Sequence, residues 1–175
     1  RHYEISNWCL PGHESKHNLT YWRNHPFLGV GPGAHSYIDG VRFSVQRSPR
    51  EYTLGLSTDP SMPKGESWSD TLREISFVDM VKGIPPSDEM AETMMMGLRL
   101  DVGVNNRHFT ARFGISLEDA YGPVIFGAQN DGLLRWTYPY RLEAEATGAN
   151  HSDASLQLTA KGRLLGNEIF SRFFT

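Results

Sequence analysis

The sequence predicts an α+β fold of one large or two small domains, and three observations carry that expectation. Its 175 residues fit the usual domain size of roughly 100–150 residues, or two smaller units. Apolar residues make up 39% of the chain, a share typical of globular proteins once the 17 glycines are added, and no run approaches the ~18 apolar residues of a membrane-spanning helix. The hydrophobic period also changes along the chain. Short extended segments punctuated by Pro-Gly and Asp-Gly come first, and three- and four-residue helical spacing follows.

The extended segments are Tyr3-Glu4-Ile5-Ser6, Phe27 to Gly31, Tyr37-Ile38 and Val41 to Phe43. A turn-forming stretch, Ser57 to Gly65, has almost nothing to bury and divides the chain into residues 1–60 and 61–175. Behind it Trp68, Leu72, Ile75 and Val78 predict a helix that ends at Gly83 and Pro85-Pro86. Ser87 caps the next, with Asp88 and Glu89 near the positive end of its dipole and Met90, Ala91, Met94, Met95 and Leu98 on its core face. Asn105 opens a short helix closed by Gly114, and Ser116 opens another closed by Gly132. Two extended pieces follow, Leu133 to about Tyr140 and Ser155 to Leu158, joined by a polar segment. Thr159 then starts a final helix carrying Leu165, Ile169 and Phe173.

This order of helices around a long hairpin is winged-helix-like. Such units often bind DNA, but phosphate binding needs clustered Lys and Arg. The charge lies elsewhere: residues 1–50 total +3 and the remainder −6, and five of the seven histidines fall in the first 36 residues. A structural or docking unit is therefore expected rather than a nucleic-acid binder, and an anionic ligand belongs at the N-terminal end. The lone Cys9 excludes an internal disulfide and any cluster held by this chain's own thiolates. With no signal-like segment, a cytoplasmic location is expected.

Three features could carry chemistry. Glycines alternate in Gly29-Val30-Gly31-Pro32-Gly33-Ala34-His35-Ser36, as in a tight turn or a loop that lets backbone approach a ligand; neither a P-loop nor a dinucleotide fingerprint is present. His13 and His17 are four apart, as metal ligands on one helix face would be, although Pro11-Gly12 argues against a regular helix there. His17 beside Tyr21 and Trp22 also suits heme iron, which needs one axial imidazole and aromatic walls; equally, His17 and Asn18 could bond a loop while the two rings cover the core. Met94-Met95-Met96 has core spacing, and Glu4 either faces solvent or lines a barrel.

Five stretches in series, Tyr3-Glu4-Ile5-Ser6-Asn7, His17-Asn18-Leu19-Thr20-Tyr21-Trp22, Gly29 to Ser36, Glu92 to Leu100 and Leu158-Thr159-Ala160-Lys161-Gly162, closely resemble the C-terminal half of the oxygen-independent coproporphyrinogen III oxidase-like radical SAM proteins, on their heme-chaperone branch. The resemblance implies that residues 1–60 are the last strands of a partial, TIM-like radical SAM barrel and that residues 61–175 are a mostly helical, winged-helix-like domain. It implies a fragment of a longer protein, whose upstream Cys-x-x-x-Cys-x-x-Cys holds a 4Fe-4S cluster that cleaves S-adenosylmethionine. With one cysteine, this chain is expected to be catalytically inactive alone and to supply no catalytic residue.

By the same resemblance Ala34, His35, Leu19 and Thr20 lie on the S-adenosylmethionine side. His17, Asn18, Tyr21 and Trp22 form a heme motif, with His17 as the iron ligand. The oxidases carry Arg-Asn-Phe-Gln-Gly-Tyr in place of residues 17–22, which favours heme or porphyrin binding and delivery over decarboxylation of coproporphyrinogen; that oxidase reaction is the alternative function, and a docking domain without ligand a weaker one. Truncation should leave barrel edges near residues 3–6 and 27–31 that pair with another copy, are covered by other segments, or lose order.

Overall fold

A computed structural model describes residues 1–58, 65–138 and 151–174. In chain order the elements are α1 (Lys16–Trp22), β1 (His35–Ile38), β2 (Val41–Val45), α2 (Pro49–Thr58), α3 (Trp68–Glu74), β3 (Val78–Gly83), α4 (Pro86–Gly97), β4 (Val104–Asn105), α5 (Asn106–Phe113), α6 (Leu117–Asn130), β5 (Leu134–Thr137), β6 (Ser155–Leu158), α7 (Ala160–Leu164) and α8 (Gly166–Ser171). Helices and strands are mixed, as expected of an α+β chain. They gather into two compact units, one of residues 1–24 with 90–175 and the other of residues 25–89.

The unit of residues 25–89 is built on an antiparallel sheet of order β1-β2-β3. Asp39 and Gly40 join its first two strands with φ of 48° and 72°, the two positive values that a two-residue hairpin matching strand twist requires. Val41, Phe43 and Leu72 form its core, with Ile38, Ile75, Val78 and Val81 against them.

In the other unit, a sheet of order β4-β6-β5 packs with the helices around Met94, Leu98, Phe109, Leu117, Leu133, Leu156 and Ile169. The expected caps form. Asn105, Ser116 and Thr159 each accept a backbone N–H of the first helical turn, and Gly114 closes α5 in the left-handed region at φ 74°. The face of α4 carrying Ala91 and Met94 is buried, with Leu98 just past its end, so Met94 is core and Met95 packs partly buried against it.

Several expectations are corrected. The helix expected from Trp68 to Gly83 stops at Glu74, because Val78 and Val81 pair with Val45 and Phe43 as β3. The division therefore falls elsewhere than 1–60 and 61–175: β3 belongs with β1 and β2, and Tyr3 and Glu4 join Leu100 and Asp101. The turn stretch from Ser57 runs through residues 59–64, outside the described residues. Residues 3–6 form no strand: Glu4 bridges Leu100, Asp101 N–H donates to the Tyr3 carbonyl at 3.0 Å, and His2 bridges Trp8. Phe27 makes one bridge, to Tyr37, before the glycine loop. Near residues 3–6 the chain's own Leu100 and Asp101 cover the edge, whereas Leu28 and Val30 beyond Phe27 stay exposed.

The final helix breaks at Leu165 (φ −113°, ψ 25°) into α7 and α8. α6 kinks at Tyr121 because Pro123, two residues on, lacks an N–H and crowds the preceding turn. The extended piece from Leu133 is ordered as β5; residues 139–150, including its expected end at Tyr140 and the polar segment, lie outside the described residues. No helix among the described residues is long and apolar enough to cross a membrane.

Candidate functional site

The motif of residues 17–22 is a helix after all. Ser15 caps α1 by accepting the Asn18 N–H at 3.3 Å, which starts the helix past Pro11-Gly12 and leaves His13 outside it. The His13–His17 pair expected of a metal site therefore does not share a helix face. Among the described residues no group of three or more His, Cys, Asp or Glu could hold a metal ion. Within α1, His17 is exposed, and Tyr21 one turn on meets its ring edge-to-face with centroids 4.9 Å apart. Asn18, Leu19, Thr20, Tyr21 and Trp22 are half-buried, and the Thr20 hydroxyl donates to the Lys16 carbonyl at 3.1 Å.

The end of α1 is anchored by residues from α4 onward. Asn24, buried and at φ 48°, donates its amide to the Thr93 hydroxyl at 3.1 Å. Arg112 donates to the Arg23 carbonyl at 3.4 Å. Arg99 lies with its guanidinium carbon 5.5 Å from the Trp22 ring centroid and 4.8 Å from that of Phe170. The Trp22 indole N–H is buried and has no hydrogen-bond acceptor among the described residues. Sequence reasoning gave Arg99 no role; a lone cation within the apolar run Met94 to Leu100 was the available signal.

Ala34 and His35 belong to the other unit, at the start of β1. The glycine run there is a turn folded onto its own strand. A Cβ on Gly29 would fall on the His35 carbonyl oxygen, Gly29 N–H donates to the buried Ser36 hydroxyl at 3.0 Å, and the Gly33 and Ala34 amides donate to the Gln46 and Gly31 carbonyls. Packing within the chain thus accounts for Gly29, and the exposed His35 ring is the group presented outward. The two sets of candidate residues lie in different units: residues 17–22 in one, Ala34 and His35 in the other.

The comparisons with known proteins agree with the ordered motifs. The HemN C-terminal domain model matches residues 84–137. The heme chaperone HemW of Bacillus subtilis is 33% identical over 98% of this chain and 37% of its own length, and that of Mycobacterium tuberculosis 50% identical over 95% and 33%. Residues 84–137 thus resemble a HemN C-terminal domain, and nearly the whole chain is similar to part of the heme chaperone HemW proteins. The chain spans about a third of the length of these curated relatives. A bovine relative, radical S-adenosyl methionine domain-containing protein 1, mitochondrial, is 35% identical over 77% of the chain and 29% of its own length. In fold, the chain is similar to coproporphyrinogen III oxidase (HemN) from Escherichia coli, a radical SAM enzyme by its description, at a TM-score of 0.51 and 16% identity over 86% of this chain and 29% of that one. The names of the bovine and Escherichia coli proteins point to S-adenosylmethionine chemistry in those full-length proteins. The single cysteine of this chain, Cys9, does not fit the thiolate set that an iron–sulfur cluster needs.

Proposed function

We propose that this chain is the C-terminal portion of a cytoplasmic radical SAM protein that binds and delivers heme, and that α1 is its heme contact. The observation that carries this reading is the exposed His17 imidazole on a capped helix, flanked edge-on by Tyr21. A neutral imidazole supplies one axial ligand to ferric heme, and an adjacent ring shields the iron face from water. An exposed ligand suits a carrier, since it can be exchanged for an acceptor's ligand without unfolding the donor. Asn18 and the Trp22 ring complete the contact. The +3 balance of residues 1–50 suits the anionic propionates of a porphyrin.

Ala34, His35, Leu19 and Thr20 are proposed as the S-adenosylmethionine side in the full-length protein, with residues near the N-terminal end closing a partial barrel. The helices α5 and α6 followed by β5 and β6 support a winged-helix-like unit used for docking. Oxidative decarboxylation of coproporphyrinogen is the rival activity, and robust turnover by the full-length protein would replace heme delivery. The test of the leading reading is a heme titration of the chain followed at the Soret band. A shift is expected that is lost in His17→Ala; no shift, or the same shift in the variant, would overturn it.

A further inference from the structure

We propose that Arg99 is the anion-binding group of the α1 site and receives a propionate carboxylate of the bound porphyrin. This rests on the heme-binding reading above and adds to it a residue outside the His-Asn-Leu-Thr-Tyr-Trp motif. Arg99 follows α4, where its backbone N–H donates to the Met96 carbonyl at 3.1 Å. Its side chain is half-buried, with the guanidinium carbon 5.5 Å from the Trp22 ring centroid and 4.8 Å from that of Phe170.

Three other arginines of the same unit meet carboxylates, and Arg163 lies against His2 instead. Arg1 meets Asp101 and Glu14, Arg107 meets Asp153, and Arg172 meets Asp131 and Glu168. Arg99 meets none among the described residues. Two aromatic faces fix a guanidinium in orientation but leave its five in-plane N–H donors unanswered. A fixed fork with open donors matches a carboxylate, which accepts two of them side by side.

A second, independent observation marks the same place as incomplete. The indole N–H of Trp22, whose ring lies against Arg99, is buried without an acceptor among the described residues, a condition that folded proteins rarely leave standing. An anionic oxygen drawn to Arg99 brings acceptor capacity to this corner. His17 precedes Trp22 by five residues, about 7.5 Å along the helix axis and about 140° around it, so a porphyrin held at His17 has to reach around α1 for a propionate to meet Arg99.

The test compares hemin with hemin dimethyl ester, whose propionates carry no charge, each titrated into the chain and followed at the Soret band. The wild-type chain should bind hemin about tenfold or more tightly than the diester, the scale of one charge-assisted contact. Arg99→Gln should remove that preference and leave the Soret position, set by His17, unchanged. Arg99→Lys, which keeps the charge but not the planar fork, should fall between them. Far-UV dichroism confirms that each variant is folded, and the ester comparison within the wild-type chain needs no variant at all. Equal hemin and diester affinities, or an Arg99→Gln variant that keeps the preference, would overturn the Arg99 assignment while heme binding stands. No Soret change with either porphyrin would overturn the heme reading and this assignment together.

Discussion

The side-chain oxygen of Asn106 accepts the backbone N–H of Leu117 at 2.9 Å, tying the first residue of α5 to the first residue of α6. The same amide donates to Glu118 Oε2 at 2.7 Å and to the His151 carbonyl at 3.1 Å, at a residue only 3% exposed. Asn106→Ala strands a buried donor and a carbonyl at once. Each unpaired group costs about 1–3 kcal/mol, so a loss of about 2 kcal/mol or more is expected. Urea denaturation would read it as a lower midpoint at unchanged slope.

Two helical glycines should respond to alanine with opposite signs. Gly127 in α6 has open space where a Cβ would sit, so Gly127→Ala should stabilise by about 0.5–1 kcal/mol through helix propensity. Gly162 in α7 faces the Leu133 backbone, and its Cβ would fall on that carbonyl oxygen. Gly162→Ala should therefore destabilise despite the same propensity gain. Thermal melts of the pair decide it, and a stabilised Gly162→Ala would contradict the packing of α7 on Leu133.

Burial raises the pKa of the Tyr121 hydroxyl above its usual value of about 10. A group that holds its proton more tightly when folded contributes stability in full below the unfolded value, and loses it as pH rises through the raised one. The chain should thus weaken on the alkaline side, and Tyr121→Phe should flatten that limb while keeping the edge-to-face contact with Phe173 at 5.0 Å. Denaturant midpoints measured from pH 8 to 11 provide the check.

Glu4 is fully buried and accepts the Ser6 N–H at 3.0 Å and the Asn7 side-chain amide. Replacing it with Ala removes the acceptor for both, at a cost of about 1–3 kcal/mol. Amide exchange should report where that loss falls, with the Asp101 N–H that donates to Tyr3 opening first.

Residues that act through local chemistry were legible in the sequence. Asn105, Ser116 and Thr159 cap helices, Gly114 ends one, and Asp39-Gly40 turns a hairpin, because each outcome depends on a few neighbouring backbone groups. The switch from helix to strand at Val78 was not, since it depends on Phe43 and Val45 more than thirty residues earlier. α2 carried a readable start that strand-and-loop reading passed over: Ser48 accepts the Glu51 N–H at 3.4 Å and Pro49 takes the first helical position. Of the candidate site, the His17–Tyr21 spacing was visible in the sequence. The approach of Arg99 to Trp22 and Phe170 was not, because the two rings lie 77 residues before it and 71 after it.

Tyr3 and Glu4 find their partners at Asp101 and Leu100, across the whole of the unit formed by residues 25–89. That arrangement fixes an order of events during synthesis. The unit of residues 25–89 has all its strands within a short stretch and can close as soon as it leaves the ribosome, whereas the end of α1 must wait for Thr93, Arg99 and Arg112. Until then Tyr21 and Trp22 remain open to solvent and to whatever apolar surface is nearby.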